Sequence, residues 1–157
     1  MIKKILISFL FIFIVSCGFQ PMLKDFDTSS LVIKQINYTG KNELTYSLKS
    51  YLNLKESPNN SSDYILNLNI NEITTTANKN TAGITTQEDY TLVINLIVTN
   101  SKLEVLLNDT FSETKRLDVT NNLASDDSNK RVEKRKIMQN LTQKIKFKIL
   151  ILSKQNK

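Results

Sequence analysis

One cysteine, no histidine and a crowded block of lysines and arginines set the chemistry open to this 157-residue chain. From Lys130 to Lys157 there are ten basic residues against the single acid Glu133, whereas residues 17–129 carry nine bases and fourteen acids. Such segregation points to a polyanion or a charged membrane surface as partner. The cations best placed to meet phosphate are Lys115 and Arg116, at the end of a predicted strand, and Lys130, Arg131, Lys134, Arg135 and Lys136, on a predicted helix. Ammonium and guanidinium groups hold phosphate oxygens through charge-assisted hydrogen bonds. The competing reading is a solvated lysine-rich helix, because charge runs usually face water.

Other chemistries are poorly supplied. Without histidine the chain lacks the commonest general base and metal ligand. Its three glycines fall at none of the spacings of a phosphate-cradling loop. The acid pairs Glu88-Asp89 and Asp126-Asp127 are adjacent, so on a strand or helix their carboxylates point apart. The sequence therefore argues against an enzyme, and no metal or diffusible cofactor is expected.

Cys17 sits directly behind the most apolar segment of the chain. Lys3 and Lys4 precede an apolar run from Ile5 to Val15 broken only by Ser8. That run is shorter than the ~20 residues a membrane-spanning helix needs, and it has the charged start and apolar middle of a secretory signal. Ile14-Val15-Ser16-Cys17 then reads as a bacterial lipobox, with residues 1–16 as signal peptide and the thiol as lipid acceptor. A diacylglyceryl group and an N-acyl chain on Cys17 would anchor the protein without spanning, since stable anchoring takes more than one chain. Gly18, where an aspartate would favour inner-membrane retention, makes the outer membrane the expected address. Loss of residues 1–16 lowers the formal charge from +6 to +4 and leaves 141 residues, enough for one domain with a core. In an exported protein lipopolysaccharide or anionic phospholipid fits better than nucleic acid as the polyanion.

The basic residues need elements to hold them. Residues 17–30 show no sustained period and read as a lipidated tether, leaving 31–157 as the folded domain. Leu31 to Tyr38 is β-branched and aromatic, a strand ending at Thr39-Gly40. Leu44, Leu48, Tyr51 and Leu52 recur at helical spacing, predicting a helix over 41–53. Ser57-Pro58 and the Asn/Ser cluster after it predict a loop over 53–63. Leu66, Leu68 and Ile70 alternate with asparagines in a second strand, and Tyr90 to Thr99 forms a third, with apolar residues on both faces. The polar segment 77–87 between them reads as a loop longer than a usual hairpin connection. Asn100-Ser101-Lys102 turns the chain into a fourth strand over 104–115, completing an antiparallel meander. A long helix follows over 122–152. Met138, Leu141, Ile145, Ile149 and Leu152 form its apolar stripe, whereas 130–136 is charged nearly all round and is expected to project or meet a partner.

The segment Cys17-Gly18-Phe19-Gln20-Pro21-Met22, followed by strand, helix, three strands and a long helix, resembles the LptE family of lipopolysaccharide-assembly lipoproteins, particularly its alphaproteobacterial-type members. The resemblance implies an α+β fold of order β-α-β-β-β-α, a four-stranded, mostly antiparallel sheet with two helices on one face. It also implies a partner, an LptD-type outer-membrane β-barrel that inserts lipopolysaccharide and that the lipoprotein plugs and helps to assemble, and contact with lipopolysaccharide itself. The competing function is a free-standing, periplasm-facing lipoprotein that binds an anionic glycan or lipid through its basic C-terminal helix.

Overall fold

The computed structural model describes residues 33–57 and 64–155. The expected signal peptide, Cys17, the tether and residues 58–63 of the expected loop lie outside the described residues. The elements are β1 (Gln35–Gly40), α1 (Asn42–Leu52), β2 (Ile65–Lys79), β3 (Thr85–Thr99), β4 (Val105–Asp118) and α2 (Leu123–Gln155). The strands form one sheet in the order β1-β2-β3-β4. β1 runs parallel to β2, because α1 carries the chain back before β2 begins, and the other two pairings are antiparallel hairpins.

Alternation along each strand decides which side the helices cover. Leu66, Leu68 and Ile70 on β2 and Tyr90, Leu92, Ile94, Leu96 and Val98 on β3 are buried on one face. Against them pack Leu44, Leu48 and Leu52 of α1 and Ile137, Met138, Leu141, Ile145 and Ile149 of α2, in a single core. Burial of each such side chain contributes about 1.5–3 kcal/mol. The opposite face is laid with asparagine and threonine, which bond across strands: Asn37 Nδ2 donates to Asn67 Oδ1 at 2.8 Å, and Thr110 Oγ1 to Asn95 Oδ1 at 2.9 Å.

Local chemistry sets the boundaries. Gly40, at φ 134°, closes β1 where an added Cβ would lie 2.3 Å from the Ile70 carbonyl oxygen, so no other residue fits. Asn53, at φ 45°, ends α1, and its amide donates to the Lys49 carbonyl. At the start of α2 the Asn122 side-chain oxygen accepts from the Ser125 amide at 3.3 Å, and the Asp126 carboxylate accepts from the Thr120 amide and hydroxyl at 3.0 and 2.7 Å. Those two bonds hold the Asp126 carboxyl below the usual carboxylate range.

One expectation is corrected and another is narrowed. The segment 77–87 is not a long loop: β2 runs to Lys79, β3 begins at Thr85, and only five residues turn between them. Its threonines are β-branched and suit a strand, but here the hairpin runs past the end of β1, so the half-buried alternation that marks a strand in sequence is missing. The 130–136 half of α2 does not project. Lys130 Nζ lies 5.3 Å from the centroid of the Tyr90 ring and 3.2 Å from Thr74 Oγ1, and Lys134 is only 17% exposed.

The sheet has two distinct ends. The β2–β3 turn and the start of α2 share one. The start of β1 and the β3–β4 turn share the other, where Lys34 Nζ donates to Ser101 Oγ at 3.1 Å. α2 runs toward that second end, reaching Glu72 at Lys134, Glu113 at Lys144 and Asp109 at Lys148.

Candidate functional site

The leucines that seat α1 on the sheet leave a second stripe, Glu43, Ser47 and Tyr51, four residues apart and facing α2. From α2, Arg131, Lys134, Arg135 and Met138 answer at spacings of three and four. Between the two stripes lies an open cleft of about 420 Å³. Met138, itself buried, closes the bottom of the cleft, and the half-buried Tyr51 ring supplies apolar surface beside three cations and one acid.

The three cations are not equivalent. Lys134 Nζ lies 2.9 Å from Glu43 Oε1 and 3.4 Å from Glu72 Oε2. Glu72 sits on the helix-facing side of β2, two residues beyond Ile70 in the same alternation as the core leucines. It accepts from Lys41 Nζ at 2.9 Å and from the Tyr90 hydroxyl at 2.8 Å. Burial by itself would raise the Glu72 carboxyl, but the bonds from Lys41 and Tyr90 and the charge of Lys134 outweigh it and hold the group at about 2. Burial, then the bond to Glu72, raises the Tyr90 phenol, so it remains a neutral donor. Lys134 is thus bound within the fold, joining α1, α2 and β2. Arg131 and Arg135 have no ion-pair or hydrogen-bond partner among the described residues, and both are exposed at the cleft. Two unpaired guanidiniums beside the Tyr51 ring suit a phosphate attached to an apolar body, because the guanidinium fork matches phosphate oxygens and is weakly hydrated.

The other sequence-selected cations lie elsewhere. Arg116 grips Asp89 with two bonds, Nε to Oδ1 at 2.8 Å and Nη2 to Oδ2 at 2.9 Å. Lys115 and Arg116 line a smaller depression of about 240 Å³ with Asp118, Asn129, Val132 and Glu133. Lys136 pairs with Glu133 at 2.6 Å one helical turn away, and that bond lowers the Glu133 carboxyl. Lys130 is held over Tyr90. Of the seven, the structure gathers Arg131, Lys134 and Arg135 in one cleft and distributes the rest.

Sequence reasoning missed Glu43, Ser47 and Tyr51 as site residues, and Glu72 as their anchor. The signal for Glu43 and Ser47 was a polar stripe beside the Leu44, Leu48 and Leu52 face, and Tyr51 was read as part of that apolar face. The signal for Glu72 was a carboxylate at a core-phase position, where an ionised group persists only if paired. Among the described residues no group of histidine, cysteine, aspartate or glutamate has the arrangement to hold a metal ion, and no helix is long and apolar enough to cross a membrane.

Rare lipoprotein B from Shewanella oneidensis has a similar structure, with a TM-score of 0.58 at 11% identity over 78% of this chain and 97% of that one. A minor lipoprotein from Acinetobacter baumannii gives 0.57 at 16% identity over 76% and 92%. Lipoprotein B from Nitrosomonas europaea gives 0.56 at 10% identity over 73% and 80%. Among curated proteins none matches in sequence. The profile of the LptE family, described as lipopolysaccharide-assembly, matches residues 29–149, which takes in every strand, α1 and most of α2, and the chain belongs to that family.

Proposed function

We propose that this chain is an outer-membrane lipoprotein, acylated at Cys17, that pairs with an LptD-type β-barrel, assists its assembly and contacts lipopolysaccharide as it passes to the outer leaflet. Family membership supports the assembly role. The observation that carries the contact with lipopolysaccharide is the pair Arg131 and Arg135, cations without partners among the described residues, at a cleft that also presents the Tyr51 ring. Lipid A joins phosphates to acyl chains, and that pairing of charge with apolar surface is what the cleft complements. Lys134 acts differently: committed to Glu43 and Glu72, it fixes the spacing of the helices that present the two arginines.

The test is affinity purification of the full chain from outer membranes, beside Cys17→Ser. The wild type is expected to bring down one large β-barrel and lipopolysaccharide, and Cys17→Ser to lose membrane association and the incorporation of labelled fatty acid. Recovery without a barrel, together with normal barrel assembly after depletion, would contradict the partnership and favour a free-standing binder of anionic lipid or glycan.

A further inference from the structure

The two hairpin turns are built alike, and one carries a residue that its backbone disfavours. In the β2–β3 turn the Asn80 side-chain oxygen accepts from the amides of Ala82 and Ile84, both at 2.9 Å, and Gly83 takes φ 77°. In the β3–β4 turn the Asn100 side-chain oxygen accepts from the amides of Lys102 and Glu104, again both at 2.9 Å, and the residue at φ 65° is Leu103. Glycine is what this left-handed position calls for. Leu103 is strained there and 75% exposed, so neither the turn nor the core accounts for its side chain.

Its surroundings indicate what does. Val105, also on the surface, follows two residues later. Lys102 precedes Leu103, Lys34 reaches Ser101 from the neighbouring edge, and α2 arrives at this end with Lys148, paired to Asp109, and exposed Lys154. The turn's own acid, Glu104, accepts from Asn100 Nδ2. Apolar side chains are exposed at the opposite end too, at Ile84 and Leu123, but acids surround them: Glu88, Asp89, Asp118, Asp126 and Asp127, with Arg116 committed to Asp89. Lys79 is exposed beside Ile84, and Glu56 lies at the start of β1, so the ends differ in balance. Among the described residues acids outnumber bases around Ile84 and Leu123, whereas bases outnumber acids around Leu103 and Val105. The β3–β4 end is also the one at which the chain enters the sheet at Gln35, and the residues 18–34 that separate it from Cys17 span at most ~60 Å when extended.

We infer that the β3–β4 end of the domain rests on an anionic phospholipid surface, with Leu103 and Val105 inserted among the headgroups and Lys34, Lys102 and Lys154 against their phosphates. A buried apolar side chain beside basic residues is how proteins bind the interface without spanning it. The inference builds on the proposed anchor at Cys17, which would bring this same end to the bilayer, and its test is made independent of that anchor.

The chain from residue 17 onward, carrying Cys17→Ser and hence no lipid, is sedimented with vesicles of phosphatidylglycerol and phosphatidylethanolamine and with vesicles of phosphatidylcholine. Binding to the anionic vesicles is expected to be several-fold tighter and to weaken as salt rises. Leu103→Asn suits the turn's backbone, so it should keep or raise the thermal midpoint while lowering vesicle binding by about fivefold, and Lys102→Glu should lower it at least as far. Equal binding to both vesicle types, binding to neither, or a Leu103→Asn variant that binds like its parent would overturn the inference. So would a Leu103→Asn defect confined to barrel co-purification, which would make the patch a protein contact. Failure of acylation at Cys17 in cells would contradict the anchor and leave the vesicle result standing.

Discussion

Glu72→Gln is the substitution that most sharply tests how the fold holds the cationic cleft. It preserves side-chain size and removes the charge to which Lys41, Tyr90 and Lys134 converge. The Glu72 carboxyl is held at about 2 against an ordinary 4.5, and each unit of such a difference is worth ~1.4 kcal/mol, so the linkage has a ceiling of about 3 kcal/mol. Solvent still reaches 22% of the side chain, and screening reduces the expectation to about 1–2 kcal/mol at neutral pH. For a domain of this size that lowers the thermal midpoint by about 3–8 °C. The sign follows from the direction of the shift. A carboxyl lowered in the folded state stabilises above the unfolded value of about 4.5, and that stability is lost as pH falls toward 2. Urea unfolding of both proteins should therefore give a gap that is constant from pH 7 to pH 5 and shrinks by more than half at pH 3. An equal gap at pH 7 and pH 3 would refute the electrostatic account and leave only a packing change.

Gly40→Ala should destabilise by about 2–3 kcal/mol in urea unfolding, because its Cβ would meet the Ile70 carbonyl oxygen at a positive φ; a loss under 0.5 kcal/mol would mean that β1 does not close as described. Leu48→Ala, at a fully buried position between α1 and the sheet, should cost about 2–5 kcal/mol by the same measurement. Arg116→Ala, despite two good hydrogen bonds to Asp89, removes an exposed pair and should leave the urea midpoint almost unchanged; a clear drop would mean that the pair holds the hairpin.

What the sequence made legible depended on whether an element buries one face. α1 and the apolar half of α2 were readable because Leu44, Leu48 and Leu52, and Met138, Leu141, Ile145 and Ile149, repeat at the helical period against a core. The central parts of β2 and β3 were readable for the corresponding reason at period two. The distal hairpin was not, since residues 73–79 run past β1 and cover nothing that forces alternation. The cleft was half legible. Arg131, Lys134 and Arg135 stood out as charge, but a run of charge cannot say which member pairs inward. That was decided by Glu43 and Glu72, which lie 91 and 62 positions before Lys134. The strain at Leu103 was likewise hidden, because only the bonds from Asn100 reveal that its turn repeats the one containing Gly83.

The most direct test of the cleft's role is the affinity of the Cys17→Ser chain for purified lipopolysaccharide, measured by titration calorimetry with and without Arg131→Ala and Arg135→Ala together. Both arginines are exposed and make no ion pair among the described residues, so their loss should leave the thermal midpoint unchanged. The account predicts at least a tenfold weaker affinity for the double variant, or about 1.4 kcal/mol, and the same weakening for the parent protein with dephosphorylated ligand. Equal affinities across all three would contradict it.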